Sequence, residues 1–460
     1  MFMENINKYS HFFKNAKHIH FTGIGGVSMS ALAMIAKSQG KKVSGSDMNE
    51  SASVLALRDA GIDVAIGHAE ENAKGCDMLV YTAAVKDNNP ELVYVKTQDI
   101  PHCERAALLG LLMKEYPHSV AVAGTHGKTT TTSMLSSVFL SADTDPTVLV
   151  GANLSLIGGN YRVGASEYSV YEACEYCNSF WNFYPDTAII LNIDADHLDF
   201  FKDLADIQNS FKQFTHNIHS SGTLIINGDD INCRPVIDAA PVNVITFGLS
   251  EENDVFAKDI IFDHALASFT ACKDGKELGR VQMNVGGKHN VLNALSVIAT
   301  GLYYGLSFNA IATGITAFSG ADRRFQIKGK VNGAVIVDDY AHHPTEITAT
   351  ISSAKSAGYK PVTVIFQPHT FTRTKALMDE FALSLSAADQ VIVTDIYSAR
   401  ELNTIGVKIT DLRDKIPGCR YIGSFDDIAA YIEHTAAPDG CFILMGAGDV
   451  NQIANLLEMK

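Results

Sequence analysis

Short apolar runs alternate with helically spaced apolar residues along nearly the whole chain. His18-Ile19-His20-Phe21 leads into Gly23-Ile24-Gly25-Gly26, after which Met29, Leu32, Ala33, Ile35 and Ala36 recur at the spacing of one helix face. Lys42-Val43-Ser44-Gly45 and Met78-Leu79-Val80-Tyr81 read as further strands, and strand–helix–strand order predicts a parallel sheet. A second unit opens at Ser119-Val120-Ala121-Val122-Ala123-Gly124, again a strand feeding a glycine-rich loop and a helix. Ala188-Ile189-Ile190-Leu191 and Thr223-Leu224-Ile225-Ile226 continue its strands, residues 291–298 are helical, and the unit ends near Ala317. A third unit starts around Gly320. Its buried parallel strands are Ala334-Val335-Ile336-Val337, Val362-Thr363-Val364-Ile365-Phe366, Val391-Ile392-Val393 and Phe442-Ile443-Leu444-Met445. At ~150 residues per domain, a chain of 460 also predicts about three domains. The expected boundaries are 1–112, 113–319 and 320–460, with clefts between the units.

Composition narrows the classes. With 47% hydrophobic and 19% charged residues the chain can fill several ordinary cores. No run approaches the ~20 apolar residues of a membrane span, and the polar start from Met1 to Lys17 has no signal-peptide core. The net charge of -15, from 36 basic against 51 acidic side chains, repels nucleic acid over most of the surface. An anionic ligand must therefore be held by local devices. The 8 cysteines are too sparse for a secreted disulfide framework. Cys174 and Cys177 have redox or zinc spacing without a second pair, so they read as buried structural thiols in a reducing, cytoplasmic setting.

Gly124-Thr125-His126-Gly127-Lys128-Thr129-Thr130 carries the clearest chemistry. Glycines let successive N–H groups face one anion, and the following helix adds its positive end. Lys128 can reach the β- and γ-phosphates of ATP, and Thr129 can hold Mg²⁺. The loop is one residue shorter than the usual G-x-x-x-x-G-K-[ST]. Glu172 and the run Asp194-Ala195-Asp196-His197-Leu198-Asp199 each follow a strand, where open α/β sheets bind ligands, and could complete a metal site. Gly23-Ile24-Gly25-Gly26-Val27-Ser28 nearly matches a dinucleotide fingerprint, with Asp47 placed 22 residues after Gly25 for a ribose hydroxyl. Such a loop reads a diphosphate, so a nicotinamide dinucleotide and any other nucleotide diphosphate both fit.

Nine motifs in register make the chain resemble the muramyl ligases of peptidoglycan precursor synthesis along nearly its whole length. They are the two glycine loops, Gly45-Ser46-Asp47, Glu172-Ala173-Cys174-Glu175, Ala195-Asp196-His197-Leu198-Asp199, Gly287-Lys288-His289-Asn290-Val291-Leu292-Asn293-Ala294, Arg323-Arg324-Phe325-Gln326, Asp338-Asp339-Tyr340-Ala341-His342-His343-Pro344 and Phe366-Gln367-Pro368-His369. The resemblance implies three α/β domains: an N-terminal Rossmann-like UDP-binding domain, a central P-loop ATPase-type domain and a C-terminal Rossmann-like domain. It implies that Gly23, Gly25, Gly26, Ser46 and Asp47 bind the UDP part of UDP-N-acetylmuramate. Gly124 to Thr130, Asn290 and Asn293 (adenine), Arg324 (phosphates) and Asp339 (ribose) would bind ATP. Thr129, Glu172 and His197 would hold Mg²⁺, and Tyr340, His342 and Arg373 would face L-alanine. Lys128, Glu172, His197 and His342 would carry the catalysis. Many relatives have Asp where Cys174 stands and some have Arg at Thr370, so neither is assigned a contact. Several use a carbamoylated lysine; the spacing of Ile207, Phe211 and Phe214 turns Phe211 inward and favours an unmodified Lys212, 15 residues past His197.

The implied reaction is ATP activation of a carboxylate followed by attack of an amine, with charge neutralisation as the main catalytic work. The third domain is expected to move, so an unliganded form is expected to hold its residues away from Lys128. A relative that attaches a tripeptide to the same sugar nucleotide shares all these loops. A nicotinamide oxidoreductase would leave Lys128 and His197 idle, and a non-catalytic nucleotide-binding subunit would not need the metal groups. The expected partners are small molecules, without nucleic acid or membrane insertion, for a monomer or homodimer.

Overall fold

The computed structural model describes residues 2–198, 200–263, 266–399 and 401–459, with backbone alone at 2–8 and 263. Three sheets follow one another along the chain. The first contains β1 (His18–Thr22), β2 (Lys42–Asp47), β3 (Asp63–Ile66), β4 (Met78–Tyr81) and β5 (His102–Glu104), in the order β3-β2-β1-β4-β5 and all parallel. The second contains β6 (His118–Ala123), β7 (Thr147–Leu154), β8 (Gly159–Arg162), β9 (Tyr168–Glu172), β10 (Thr187–Ile190), β11 (Thr223–Asn227), β12 (Asn243–Gly248), β13 (Val255–Asp263), β14 (Leu266–Lys273) and β15 (Lys276–Gln282). Its order is β15-β14-β13-β12-β11-β10-β6-β9-β7-β8, parallel from β7 to β13 and antiparallel at both edges. The third contains β16 (Gln326–Val331), β17 (Ala334–Asp339), β18 (Val362–Phe366), β19 (Gln390–Val393), β20 (Arg420–Tyr421) and β21 (Cys441–Met445), in the order β16-β17-β21-β18-β19-β20. Only β16 in that sheet is antiparallel.

Every strand expected from an apolar run is present. The edge hairpin β13-β14-β15 was not anticipated, because it covers the core with one face only. The burial of β14 alternates from Leu266 to Ala271, so its sequence shows no continuous apolar run. The helix Phe2–Asn15 at the polar start was likewise not anticipated.

Two features position the site. Strands β9, β6 and β10 are neighbours in mid-sheet and all parallel, with Val122 opposite Glu172 and Ala123 opposite Ile190. Their following loops therefore meet at one sheet edge, the ligand edge of such sheets. The cores also differ in continuity. One apolar cluster runs from Ile19, Phe21 and Leu109 of the first sheet region to Phe180, Phe211 and Phe214 under the second. The third sheet buries its own two faces in separate clusters, around Phe366 and around Phe442. The first two units are thus joined by shared apolar packing, whereas the third meets the second through the polar contacts below. Among the described residues no helix is long and apolar enough to cross a membrane.

Candidate functional site

The loop after β6 is shaped by glycines in conformations that other residues adopt only with strain. Gly127 sits at φ 86° as the cap of helix Lys128–Ser141, and a Cβ there would come within 2.8 Å of Asn293 Oδ1. Thr125 and His126 belong to the loop expected to bind ATP, and several of its N–H groups were expected to face the anion. Instead Thr125 N–H donates to Asn192 O at 3.1 Å and His126 N–H to Asn192 Oδ1 at 2.8 Å. These two residues shape the loop, and the open donors are the first N–H groups of the helix, from Lys128 onward. Lys128 folds back over the loop: its Nζ donates to Gly124 O at 2.6 Å and Thr125 O at 2.9 Å, and lies 2.9 Å from Glu175 Oε2. Burial alone would lower the lysine's pKa, but Glu175, with smaller help from Cys174 and Glu172, holds it above its ordinary value.

The three donors predicted for a metal separate beside Lys128 into a pair, Thr129 with Glu172, and His197 apart from it. Thr129 Oγ1 donates to both oxygens of Glu172, at 3.0 and 3.1 Å, and Gly151 N–H fixes Oε2 at 2.8 Å. This hard-oxygen pair fits Mg²⁺. His197 does not join it. Its Nε2 is 3.8 Å from Glu175 Oε1 and 3.8 Å from Asp196 Oδ2, and its backbone adopts φ 55°. Burial, with Arg373 and Lys128 nearby, outweighs those two acids and lowers its pKa, so the imidazole is neutral and available as a ligand. Asp199 of the same run lies outside the described residues.

A cavity of about 720 Å³ opens between the second and third units, a size suited to a nucleotide. Gly127, Thr130, Asn290, Asn293, Arg324 and Asp339 all line it, as do His126 and Glu346. Asn290 donates to Gly286 O at 2.7 Å and Asn293 to Asn290 Oδ1 at 3.1 Å, which orients both amides. Asp339 accepts from Phe325 N–H at 2.7 Å and Ala341 N–H at 2.8 Å, and so pins the arginine pair to the end of β17. Burial raises its pKa to about 6 against the opposing pull of Arg324.

The third unit is closed onto the second rather than held away from Lys128. Arg373 donates to Asp196 Oδ1 at 3.2 Å, Thr345 Oγ1 to Asp194 Oδ2 at 2.8 Å, and His343 Nε2 to Ala195 O at 3.2 Å. One charge pair, Arg373 with Asp196, and two hydrogen bonds from neutral side chains hold the units together. Tyr340 stacks beneath both arginines, with Arg323 Cζ 4.9 Å and Arg324 Cζ 5.2 Å from its ring, and lies 5.5 Å from the His342 ring. The structure thus brings Tyr340 and His342 together, while Arg373 is tied to Asp196. Burial, reinforced by Arg373 and opposed by Glu346, lowers the His342 pKa to about 4.

In the first unit Gly25 N–H donates to Asp47 Oδ2 at 2.9 Å, while Gly23 and Ile24 N–H both reach Ser46 O, at 2.8 and 3.0 Å. Gly26 caps helix Val27–Ser38. The loop and strand β2 are therefore one unit, as the motif predicts. The Ser46 side chain departs from its expected ligand role. It is fully buried, and its hydroxyl donates to Glu91 Oε2 at 2.7 Å.

Asp194 was read only as part of a possible metal group, and Glu346, Glu175 and Asn192 were missed. The first three are acids within or next to the recognised runs, and only the fold shows that they face cations. His126, Asp194 and His343 bring three metal-type donor atoms within 4.8 Å, but hydrogen bonds from Thr345 and between His126 and Asp194 already occupy this group. Cys177 also departs from the buried reading. It is exposed, at a kink where Cys177 and Asn178 take positive φ, while Cys174 is half-buried. Phe211 is buried as expected, and Lys212 is half-buried.

Comparison with known proteins agrees along the chain. Residues 18–117 match the Mur ligase family catalytic domain, 122–301 the Mur ligase middle domain and 323–448 the Mur ligase glutamate ligase domain. A UDP-N-acetylmuramate–L-alanine ligase of Agathobacter rectalis is 48% identical over 454 residues, 97% of this chain and 99% of that protein. One from Clostridium novyi is 48% identical over 451 residues, 97% and 98% of the two chains. Among solved structures, a UDP-N-acetylmuramate–alanine ligase from Thermotoga maritima matches with a TM-score of 0.80 at 30% identity, over 96% of this chain and 98% of that one. A murein peptide ligase from Psychrobacter arcticus gives 0.71 at 27% identity, over 96% and 98%. Sequence, fold and loop geometry agree, and the chain belongs to the Mur ligase family.

Proposed function

We propose that this enzyme joins L-alanine to the lactyl carboxylate of UDP-N-acetylmuramate, using ATP and an acyl-phosphate intermediate, in peptidoglycan precursor synthesis. The observation that carries the substrate assignment is the 48% identity over 97% of the chain to ligases named for that reaction. The geometry supports the chemistry, because one cavity is walled by the phosphate loop on one side and the third unit on the other.

In this reading residues 1–112 bind the UDP-sugar, 113–319 bind ATP and 320–460 receive the amino acid. Gly23, Gly25, Gly26 and Asp47 form the UDP loop, with Ser46 contributing through its backbone. The cavity takes the nucleoside, with Asn290 and Asn293 at the adenine and Asp339 at the ribose. The lactyl carboxylate attacks the γ-phosphorus, ADP leaves, and an acyl phosphate forms. ATP displaces the Lys128 ammonium from the loop carbonyls onto the transferred phosphate, where Arg324 joins it. Thr129 and Glu172 would hold Mg²⁺, with His197 at a second position beside Glu175; when bound, the ion neutralises phosphate charge. The amine of L-alanine then attacks the acyl carbon, and inorganic phosphate leaves from the tetrahedral intermediate. His342 is neutral, and its Nδ1 faces two acceptors, Tyr340 O at 3.0 Å and Glu346 Oε2 at 3.3 Å. Nδ1 therefore carries the proton, and Nε2 accepts a hydrogen bond from the amine. Tyr340 lines the amino-acid side, and Arg373 meets the amino-acid carboxylate. Closure of the third unit keeps water from the acyl phosphate.

The test is phosphate release with UDP-N-acetylmuramate, ATP and Mg²⁺, adding L-alanine, glycine, L-serine or tripeptide separately. L-alanine is expected to give the highest kcat/KM. Release only with tripeptide would move the assignment to the murein peptide ligases.

A further inference from the structure

We propose that Glu346 is the positioning residue of the ligation site, one carboxylate that holds the phosphate loop, Arg324 and the tautomer of His342 in register when the third unit closes. The inference rests on the ligase reading above. Glu346 lies in the first turn of helix Pro344–Ser356, and its side chain is 13% exposed. Its two oxygens face different halves of the reaction. Oε1 is 3.4 Å from His126 Nδ1 and 3.7 Å from Arg324, on the ATP side. Oε2 accepts His342 N–H at 3.0 Å and lies 3.3 Å from His342 Nδ1, on the amine side.

Each contact has a consequence. An anion in the wall of a nucleotide cavity repels a triphosphate unless it is neutralised, and His126 and Arg324 do this. The Arg324 contact is the longest of the set, so Arg324 is the partner that passes to the phosphate while His126 and His342 stay. On the other side, Tyr340 O at 3.0 Å and Glu346 Oε2 at 3.3 Å both face Nδ1 and together fix His342 with its proton there and a lone pair at Nε2. One carboxylate thereby couples the arrival of nucleotide to the readiness of the amine acceptor.

The groups around His126 are Asp194 from the loop after β10, and His343 and Glu346 from the cap and first turn of the third-unit helix; Arg324 and His289 lie beyond Glu346. Burial alone would lower the His126 pKa, but Asp194 and Glu346 together raise it to about 9. His126 is therefore a cation through neutral pH, held by Asp194 first and by Glu346 second.

The experiment is steady-state kinetics of Glu346→Gln with each substrate varied across pH. We expect kcat to fall about ten- to a hundredfold, as when a group that orients first-contact residues is removed. KM for UDP-N-acetylmuramate should stay within about twofold, because its loop is in another unit, and the alkaline limb of kcat should move down by about one pH unit. A kcat within twofold of the parent overturns the proposal, as does a lower kcat with an unmoved alkaline limb. If the variant does not fold, histidine NMR of the unmodified enzyme decides. His126 titrating near pH 9 with His342 protonated at Nδ1 supports the proposal; titration near 6.5, or a proton on Nε2 of His342, overturns it. Failure of the unmodified enzyme to ligate L-alanine would defeat the ligase reading instead, and the NMR result would still report on Glu346.

Discussion

Removing the Lys128 ammonium separates its structural work from its chemical work. Lys128 is 13% exposed and Glu175 2% exposed, so Lys128→Ala leaves an uncompensated carboxylate inside the loop. Breaking a buried pair by deleting one partner costs about 3–5 kcal/mol. The residual exposure of Lys128 puts the expected cost at the lower end, about 3 kcal/mol. For a unit of roughly two hundred residues this lowers the unfolding midpoint by about 6–12 °C. The loop carbonyls of Gly124 and Thr125 also lose their donor. Adding Glu175→Gln removes the stranded charge, so the double variant should regain most of that stability. Activity should not follow. Loss of one preorganised group at a developing charge costs about 10²–10³ in kcat, and Lys128 touches the transferred phosphate itself. The assays are thermal unfolding and phosphate release on both variants. A double variant that regains turnover along with stability would refute the reasoning, as would Lys128→Ala with near-normal kcat.

Arg373→Ala should chiefly raise KM for L-alanine; because Arg373 also pairs with Asp196 across the unit boundary, a smaller fall in kcat is expected, and an unchanged L-alanine dependence with lost ATP dependence would place Arg373 in the nucleotide site. A uridine nucleotide should raise the unfolding midpoint of the first unit and NAD should not, as read by ligand-dependent thermal shift; the reverse would restore the oxidoreductase reading. Glu91 is fully buried and accepts from Thr22 at 2.7 Å, Ser46 at 2.7 Å and Asn72 at 2.8 Å. Burial alone would raise its pKa, but His20 and these donors lower it to about 2 from an ordinary 4.5. Its contribution of about 3 kcal/mol is therefore present above pH 4.5 and lost as pH falls towards 2, and Glu91→Gln should remove that acid limb from the stability profile.

The chain pattern alone determined the central parallel strands of the three sheets, because a strand covered on both faces must be apolar throughout, as at Ala188-Ile189-Ile190-Leu191. It also determined the two glycine loops, since positive backbone angles and close approach restrict those positions to glycine. The tertiary structure decided which polar groups face one another. Asp194, Glu346 and Ser46 carry no local mark of their partners; Ser46 turns inward because Glu91, 45 residues on, needs its hydroxyl in the buried space between β2 and helix Pro90–Thr97. The hairpin β13-β14-β15 stayed hidden because one exposed face interrupts the apolar signal. Closure, too, belongs to the folded molecule. A cation on one unit finds its acid on another only when both are folded, and such attraction acts through space rather than along the chain.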